Sequence, residues 1–214
     1  VQGVTADIHP LPIQYADYAA WQQAYLGSEG AMKEKQFWKS TLAGVPAMLQ
    51  LPTDRPRPEH PTGEGCKFSG QFSADIVHQA AQFASEKRIN LQSVLLSAVQ
   101  ALLMRYSGQD DLVIGVPTAG RDRLETHGLI GYFINTMPVR CAADENTTFS
   151  KLAMNASQAT IAALDHAHLP LQQIVELTRA ARIPGANPLI QVMCQFLPKS
   201  DISQPKFVGL EMTE

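Results

Sequence analysis

Apolar residues at helical spacing alternate along the chain with short apolar segments that have the length of strands. The spacing predicts helices over residues 13–26, 31–42 and 91–106 and over residues 170–179, and further helices after the capping residues Ser73 and Thr148. Strands are predicted at residues 66–72, 112–116, 137–141, 191–197 and 207–212. Because helices alternate with strands, the predicted class is α/β.

Burial differs between the predicted elements. The helix that Asn90 caps is apolar nearly all round, so we expect it to be central and buried. The helix after Ser73 has an apolar stripe on one face, formed by Ile76, Val77, Ala80, Ala81 and Ala84. Residues 45–65 hold five prolines and therefore favour neither helix nor sheet. They fit an interdomain linker or, since little sequence precedes them, an extended strap over the surface.

Composition excludes several classes of function. The 214 residues are 45% hydrophobic and 17% charged, which is typical of a globular protein with a packed core. The net charge is −3 and no basic stripe occurs, which disfavours a nucleic-acid partner even for the aromatic segment 15–22. No apolar run approaches the roughly 20 residues that span a bilayer, so no membrane association is expected.

The three cysteines, Cys66, Cys141 and Cys194, are odd in number and far apart. This spacing favours buried free thiols over a disulfide framework, and with no secretory signal at the start it favours the cytoplasm. The first residue is Val1, as expected for a piece of something longer.

Two groups of residues invite a chemical interpretation. Asp110 and Asp111 could serve in acid–base chemistry, but adjacent carboxylates just after a helix are more typical of a solvated turn. His166, His168 and Cys194 could bind a metal, but their spacing matches no zinc-like ligand set, so no metal site is predicted.

Five segments together, in their order and spacing, resemble the second half of a nonribosomal peptide synthetase condensation domain. Residues 15–22 are similar to the family pattern Y-x-D-F-A-x-W-Q, and residues 105–121 to R-Y-S-G-Q-D-D followed by G-x-P-x-A-G-R. Residues 130–136 resemble I-G-x-F-V-N-T, and residues 166–172 resemble H-Q-D-x-P-F-E. Residues 182–192 resemble R-D-x-S-x-N-P-L-F-Q-V.

The last two segments depart from these patterns. Ala167, His168, Leu171 and Gln172 replace Gln, Asp, Phe and Glu, and the loss of both acids weakens any inherited electrostatic role. Ile183, Gly185 and Ala186 stand at the Asp, Ser and Arg places. These departures suggest relaxed demands on this copy of the motifs.

The resemblance implies a chloramphenicol-acetyltransferase-like α/β lobe over residues 1–214, without the N-terminal lobe. In the family two such lobes form a V, and the phosphopantetheine arms of carrier proteins enter the tunnel between them. The tunnel-side candidates are Gly131, Tyr132, Phe133, Asn135 and Thr136. Structural roles are expected for Tyr15, Asp17, Trp21, Gln22, Arg121, His166, Pro170, Arg182, Asn187, Pro188 and Gln191. For Asn135, a purely structural role in satisfying backbone groups and a chemical role both stay open.

The family's catalytic signature H-H-x-x-x-D-G does not occur in the chain, so no catalytic residue, no metal and no cofactor bound by the chain itself are predicted. One hypothesis is a shortened lobe that does not catalyse alone and serves as a scaffold or docks a carrier protein. The alternative is the C-terminal half of an active enzyme that forms amide bonds between carrier-bound substrates when joined to its N-terminal lobe. The implied partners are peptidyl and aminoacyl carrier proteins and adjacent synthetase domains. An unrelated acyltransferase of the same fold is a weaker third possibility.

Overall fold

The computed structural model describes residues 10–197. Helices α1 to α3 span Tyr15–Leu26, Glu29–Thr41 and Ala74–Lys87, and helices α4 to α6 span Leu91–Ser107, Phe149–Leu164 and Leu171–Thr178. Strands β1 and β2 span Asp111–Thr118 and Asn135–Ala142, and a single 3-10 turn lies between them at Leu124–Thr126. The α/β class predicted from the sequence is confirmed.

The helix boundaries follow from capping side chains. Ser73, Asn90 and Thr148 each accept a hydrogen bond from the backbone N–H three residues later, which satisfies an otherwise free donor of α3, α4 and α5. Pro170 precedes the first residue of α6, and Gly108 ends α4 in the left-handed region at φ 68°. These caps were predictable from residue type.

The two strands form an antiparallel ladder in which Asp111 lies opposite Ala142 and Thr118 lies opposite Asn135. On its other edge β1 makes a single parallel bridge, between Gly115 and Met193. A Cβ at Gly115 would lie 2.7 Å from Cγ2 of Ile190, so this approach needs a glycine. The core lies between this sheet and the helices, where α5 packs on α4 and β2. The largest buried apolar side chains are Trp38, Leu96, Ile114, Met137, Val139 and Ile174.

Two strand predictions are wrong. Residues 66–72 form no ladder with any other segment of residues 10–197, and Phe68 is 95% exposed. Weak alternation cannot make a strand without a neighbouring strand to supply hydrogen bonds. Among the described residues, 191–197 pair with the sheet only through the bridge at Met193. The strand predicted at 207–212 lies outside the described residues.

Burial also differs from the sequence pattern in places. Of the predicted stripe on α3, only Ala84 is buried, while Ile76 and Val77 are exposed. The reason is that, among the helices and strands of residues 10–197, α3 packs mainly on α4. Helix α4 is not buried all round, since Leu102 and Tyr106 are exposed. Among the cysteines, Cys141 is buried and Cys194 is partly buried, but Cys66 is exposed, in contrast to the prediction.

Asp111 is not part of a solvated turn. It begins β1 and forms a two-point ion pair with Arg140, at 2.9 Å from Nε and 2.7 Å from Nη2. The remaining Nη1 of Arg140 donates to the carbonyl oxygens of Thr41 and Ala43 at the end of α2. This side chain therefore ties α2 to the sheet, and acid–base chemistry at Asp111 is not indicated.

Residues 45–65 contain no helix or strand and lie against the body as a strap, as predicted from their prolines. The strap is held at intervals by side chains of the body: Leu49 N donates to Oε1 of Gln191, and Gln50 N donates to Oε1 of Gln109. Arg57 donates in turn to the carbonyl oxygen of Gly185. The linker interpretation is therefore not supported over this segment.

Gln100 lies on the buried face of α4, and within residues 10–197 neither its amide nitrogen nor its amide oxygen has a hydrogen-bond partner. An unpaired buried polar group costs about 1–3 kcal/mol. We expect Gln100→Met, which is similar in volume, to raise the free energy of unfolding in urea by about 1 kcal/mol. The control Gln158→Met, on the exposed side of α5, should change it little. A destabilised Gln100→Met would contradict this assignment.

Candidate functional site

A cleft of about 430 Å³ opens between α1 and the loops that flank the two strands. Its walls come from α1, from residues 118–122 at the end of β1 and in the loop that follows, from residues 132–135 in the loop before β2 and at its first residue, and from the segment 167–170 after α5. Three of the segments that carry the family resemblance, 15–22, 130–136 and 166–172, therefore meet here, together with the end of a fourth.

Asn135 joins two walls of this cleft. Its Nδ2 donates to the carbonyl oxygens of Ala167 and Leu169, both at 2.9 Å. Its Oδ1 accepts from the backbone N–H groups of Thr136 at 2.9 Å and Leu171 at 3.1 Å. These four bonds use the hydrogen-bonding capacity of the amide, so they favour the structural interpretation of Asn135 over a chemical one.

The loop before β2 is held against α1 by close packing. Tyr15 donates its hydroxyl to the carbonyl oxygen of Tyr132 at 2.9 Å, and its ring meets that of Phe133 edge to face. A Cβ at Gly131 would lie 2.3 Å from the Tyr15 ring, so only glycine allows this approach. Asp17 accepts a hydrogen bond from the backbone of Gln14 at the start of α1, which supports the placement of Tyr15.

The loop after β1 carries two arginines that lie over aromatic rings. The guanidinium of Arg121 lies 4.2 Å from the ring centre of Phe133, and that of Arg123 lies 4.1 Å from the ring of Trp21. Arg121 also donates to the carbonyl oxygen of Thr126. Each cation–π contact contributes about 0.5–1 kcal/mol, so the loop is held against both α1 and the loop before β2.

A cluster of charged groups lies at the rim of the cleft. Nδ1 of His168 is 3.2 Å from Oε1 of Glu34, and Nε2 is 2.7 Å from Oδ2 of Asp122. Glu34 is buried in α2, where its Oε1 also accepts from the Tyr25 hydroxyl at 2.5 Å and its Oε2 accepts from the backbone of Leu169 at 2.8 Å. One imidazole thus bridges a buried carboxylate and an exposed one.

The pKa values of this cluster follow from its contacts. The hydrogen bond to Glu34 raises the pKa of His168 to about 9, which outweighs partial burial, and Asp122 adds to the rise. Burial acts to raise the pKa of Glu34, but the bonds from His168 and Tyr25 outweigh it and lower that pKa overall. Burial, followed by the bond to Glu34, raises the pKa of Tyr25. At neutral pH the cluster therefore holds an imidazolium between two carboxylates.

The remaining candidates lie in three places. Trp21, Gln22 and Pro170 line the cleft, whereas Thr136 lies on β2 opposite Pro117 and is not part of the wall. His166 lies behind the wall, where its ring stacks on Phe37 at 3.8 Å and its carbonyl oxygen accepts from Nε1 of Trp38.

The late segment 182–191 is not part of the cleft. Gln191 joins it to the strap, because its Nε2 donates to the carbonyl oxygen of Asn187 while its Oε1 accepts from Leu49 N. Pro188 accepts from Ile190 N, and Arg182 is exposed. The segment therefore lies apart from the tunnel-side candidates.

Gly185, one of the departures from the family pattern, lies where the local structure requires a glycine. Its φ is 71°, and a Cβ there would lie 2.1 Å from the carbonyl oxygen of Pro58 in the strap. His168, another departure, makes the ion pairs described above. These two departures therefore meet specific local demands, in contrast to the expectation of relaxed ones.

Glu34 and Asp122 are the main residues of the charged cluster that the sequence pattern did not indicate, because neither was in a position singled out by a motif. Within residues 10–197 no group of three or more His, Cys, Asp or Glu side chains could hold a metal ion. In the same part of the chain, no helix combines the length and apolarity that a membrane span requires.

A family model described as a condensation domain matches residues 4–211. The chain belongs to the condensation-domain family. Malpinin synthetase of Mortierella alpina is 37% identical over 211 residues, which cover 99% of this chain and 3% of that protein. Phosphinothricin tripeptide synthetase PhsB of Streptomyces viridochromogenes is 36% identical over 206 residues, which cover 95% of this chain and 17% of that protein. The chain thus spans a small part of the length of these relatives.

Solved structures agree with this family. The X-domain from teicoplanin biosynthesis has a TM-score of 0.82 and 28% identity, over 89% of this chain and 44% of that one. The four-domain nonribosomal peptide synthetase holo-AB3403 has a TM-score of 0.85 and 24% identity, over 93% of this chain and 15% of that one. The predicted family and the chloramphenicol-acetyltransferase-like fold are both confirmed: the chain is a condensation-domain lobe of the kind found in nonribosomal peptide synthetases.

Proposed function

We propose that residues 1–214 form the C-terminal lobe of a condensation domain, and that this lobe alone does not form amide bonds. Its role is then to dock a carrier protein or to hold neighbouring synthetase domains in place. The phosphopantetheine arm belongs to the carrier, and the cleft is the wall beside which that arm would pass. This assembly would work in the cytoplasm.

The observation that carries this proposal is how the polar groups of the cleft are used. Among the lining residues within 10–197, His168 is the histidine, and both its nitrogens contact carboxylates. A general base must reach the proton that it removes, which a doubly engaged imidazolium cannot do. The side-chain amide of Asn135 is likewise fully occupied by hydrogen bonds to four backbone groups. The wall can therefore position a substrate, whereas the proton-transfer group must come from elsewhere.

Binding of a partner protein has a precedent in the same fold. The X-domain from teicoplanin biosynthesis, 28% identical to this chain, has been solved in a complex with OxyB. For the present chain the corresponding partners would be carrier proteins and adjacent synthetase domains.

The second candidate is the half of an active enzyme, and the open side of the cleft favours it. Tyr132, Ile134 and Leu164 line the cleft but stay 74%, 54% and 47% exposed. Apolar side chains exposed together beside a cleft are typical of a surface that another protein covers. A complementary lobe placed at this surface would close the tunnel and supply the missing histidines.

We expect Tyr132→Asp to weaken docking of that lobe or of a carrier by about 10-fold or more, because burying an aromatic side chain contributes about 1.5–3 kcal/mol. The fold should be kept, since it is the Tyr132 carbonyl oxygen that holds Tyr15. The test is calorimetric titration of the lobe with a separately expressed N-terminal lobe and with a phosphopantetheine-loaded carrier protein.

The control is Met32→Asp, which places the same charge at a 63% exposed apolar position on α2, away from the cleft walls. Amide formation by the lobe alone would refute the first candidate. A folded two-lobe complex that stays inactive on carrier-bound substrates would refute the second. Equal binding by wild type and Tyr132→Asp would show that the cleft is not the docking face.

A further inference from the structure

The loop that follows β1 forms one wall of the cleft, and it is tied to α2 through a single imidazole. Asp122 in this loop contacts Nε2 of His168 at 2.7 Å, and Nδ1 of the same ring contacts Glu34 at 3.2 Å. We infer that Glu34 and His168 are positioning residues that hold Asp122 and its loop at the mouth of the cleft. This inference depends on the proposed function only in that it takes the cleft as the face that meets substrate.

The buried end of this connection is rigid. Glu34 is 5% exposed and its two oxygens hold three partners: His168, the Tyr25 hydroxyl and the Leu169 backbone. Leu169 is itself buried. The segment that bears His168 is further fixed by Asn135, which binds the carbonyl oxygens on either side of it. The imidazole therefore has a fixed position from which it can orient an exposed partner.

The exposed end is the part that needs orientation. The Asp122 side chain is 55% exposed, and on either side of it Arg121 and Arg123 lie over Phe133 and Trp21. The sequence between β1 and β2 is long, and within it the one short regular element is the 3-10 turn at Leu124–Thr126. The ion pair to His168 is thus the charged contact that joins the start of this loop to α2.

This connection uses a position at which the chain departs from the resembled family pattern. The resembled pattern H-Q-D-x-P-F-E has an acid where this chain has His168, and an acid there would repel both Glu34 and Asp122. The His168 imidazolium is instead attracted to both carboxylates. The charge at position 168 would therefore decide how the mouth of the cleft is arranged.

The charged groups facing His168 set the expected pH dependence. They are Glu34 from α2 and Asp122 from the loop. The ring of Tyr25 in α1 also faces the imidazole, with the two ring centres 5.6 Å apart, and the charge of Arg123 acts to lower the pKa of the Tyr25 hydroxyl. Because the pKa of His168 in the folded protein is about 9, above its ordinary value of 6.5, the imidazolium and its ion pairs persist through neutral pH and are lost as the pH passes 9. The stability that the ion pairs contribute is full below pH 6.5 and declines as the pH rises towards 9.

Trp21 provides the readout, since the Arg123 guanidinium lies 4.1 Å from its ring. The experiment follows tryptophan emission and acrylamide quenching of the whole chain between pH 6 and 10, with folding checked by circular dichroism at each pH. We expect a single transition near pH 9 in wild type. Trp21→Phe should remove it, which assigns the signal, because the second tryptophan, Trp38, is buried.

The variants separate positioning from general stability. His168→Gln should remove the transition, and Glu34→Gln and Asp122→Asn should each lower its midpoint by about one pH unit toward the ordinary histidine value. The control His78→Gln, on the exposed surface of α3, should leave the profile unchanged. If His168→Gln does not fold, Asp122→Asn decides alone, since its side chain is exposed.

A flat emission profile in folded wild type, or an unchanged transition in Asp122→Asn, would overturn the inference. The measurement uses no carrier protein, substrate or second lobe. Its result is therefore independent of whether the lobe docks a carrier, and failure of the proposed function would appear in the binding titrations instead.

Discussion

Replacement of Asn135 by aspartate is expected to lower the free energy of unfolding by about 3 kcal/mol or more. The change keeps the shape of the side chain but replaces Nδ2, which donates to the carbonyl oxygens of Ala167 and Leu169 at 2.9 Å, with an oxygen. Two hydrogen bonds are lost, and a carboxylate is placed against two carbonyl dipoles. Equilibrium unfolding in urea at pH 7 measures the loss.

The pH dependence of this loss identifies its cause. The two carbonyl oxygens disfavour the charged carboxylate, so the folded state raises the pKa of the introduced group, and its protonated form can donate one of the two lost bonds. The destabilisation should therefore shrink as the pH falls, relative to wild type at the same pH. The exposed control Asn146→Asp makes the same chemical change outside such a network and should cost at most about 0.5 kcal/mol. Equal losses in the two variants would contradict a central role for the Asn135 amide.

The elements that the sequence predicted well are those with local determinants. Ser73, Asn90 and Thr148 start their helices, and the strands over residues 112–116 and 137–141 appear within β1 and β2. In each case the signal lies within a few residues of the structure that it determines. The strand predictions that were wrong, at 66–72 and 191–197, depended on partners elsewhere in the chain, which periodicity does not identify.

The site divides in the same way. The motif resemblance indicated the residues of the loop before β2 because family patterns are read along the chain. It did not indicate Glu34 or Asp122, which reach His168 from 134 and 46 residues away along the sequence. For the same reason Gly185 was interpreted as an eroded position, although the Pro58 carbonyl oxygen of a distant strap requires a glycine there. Contacts between segments that are far apart along the chain could not be predicted from the sequence alone.

The second large effect is expected at Gly120, in the loop after β1. Its φ is 63°, in the left-handed region, and a Cβ there would lie 2.0 Å from the carbonyl oxygen of Phe133. Gly120→Ala must therefore move the backbone of one loop away from the other. Because Arg121 packs over the Phe133 ring and Tyr18 packs beside it, that movement disrupts the cleft wall. We expect a loss of about 3 kcal/mol in the free energy of unfolding.

Gly108→Ala is the matched control, because it separates backbone strain from the clash. Gly108 has a φ of 68°, but a Cβ there would meet no heavy atom of the described residues within 4 Å. It should lose only about 1 kcal/mol, the cost of the left-handed conformation for a residue with a side chain. The difference between the two variants then measures how tightly the two loops are held together. If urea unfolding gave equal losses, the wall formed by Gly120 and Phe133 would be free to relax, and a cleft of fixed shape could not be what positions a substrate there.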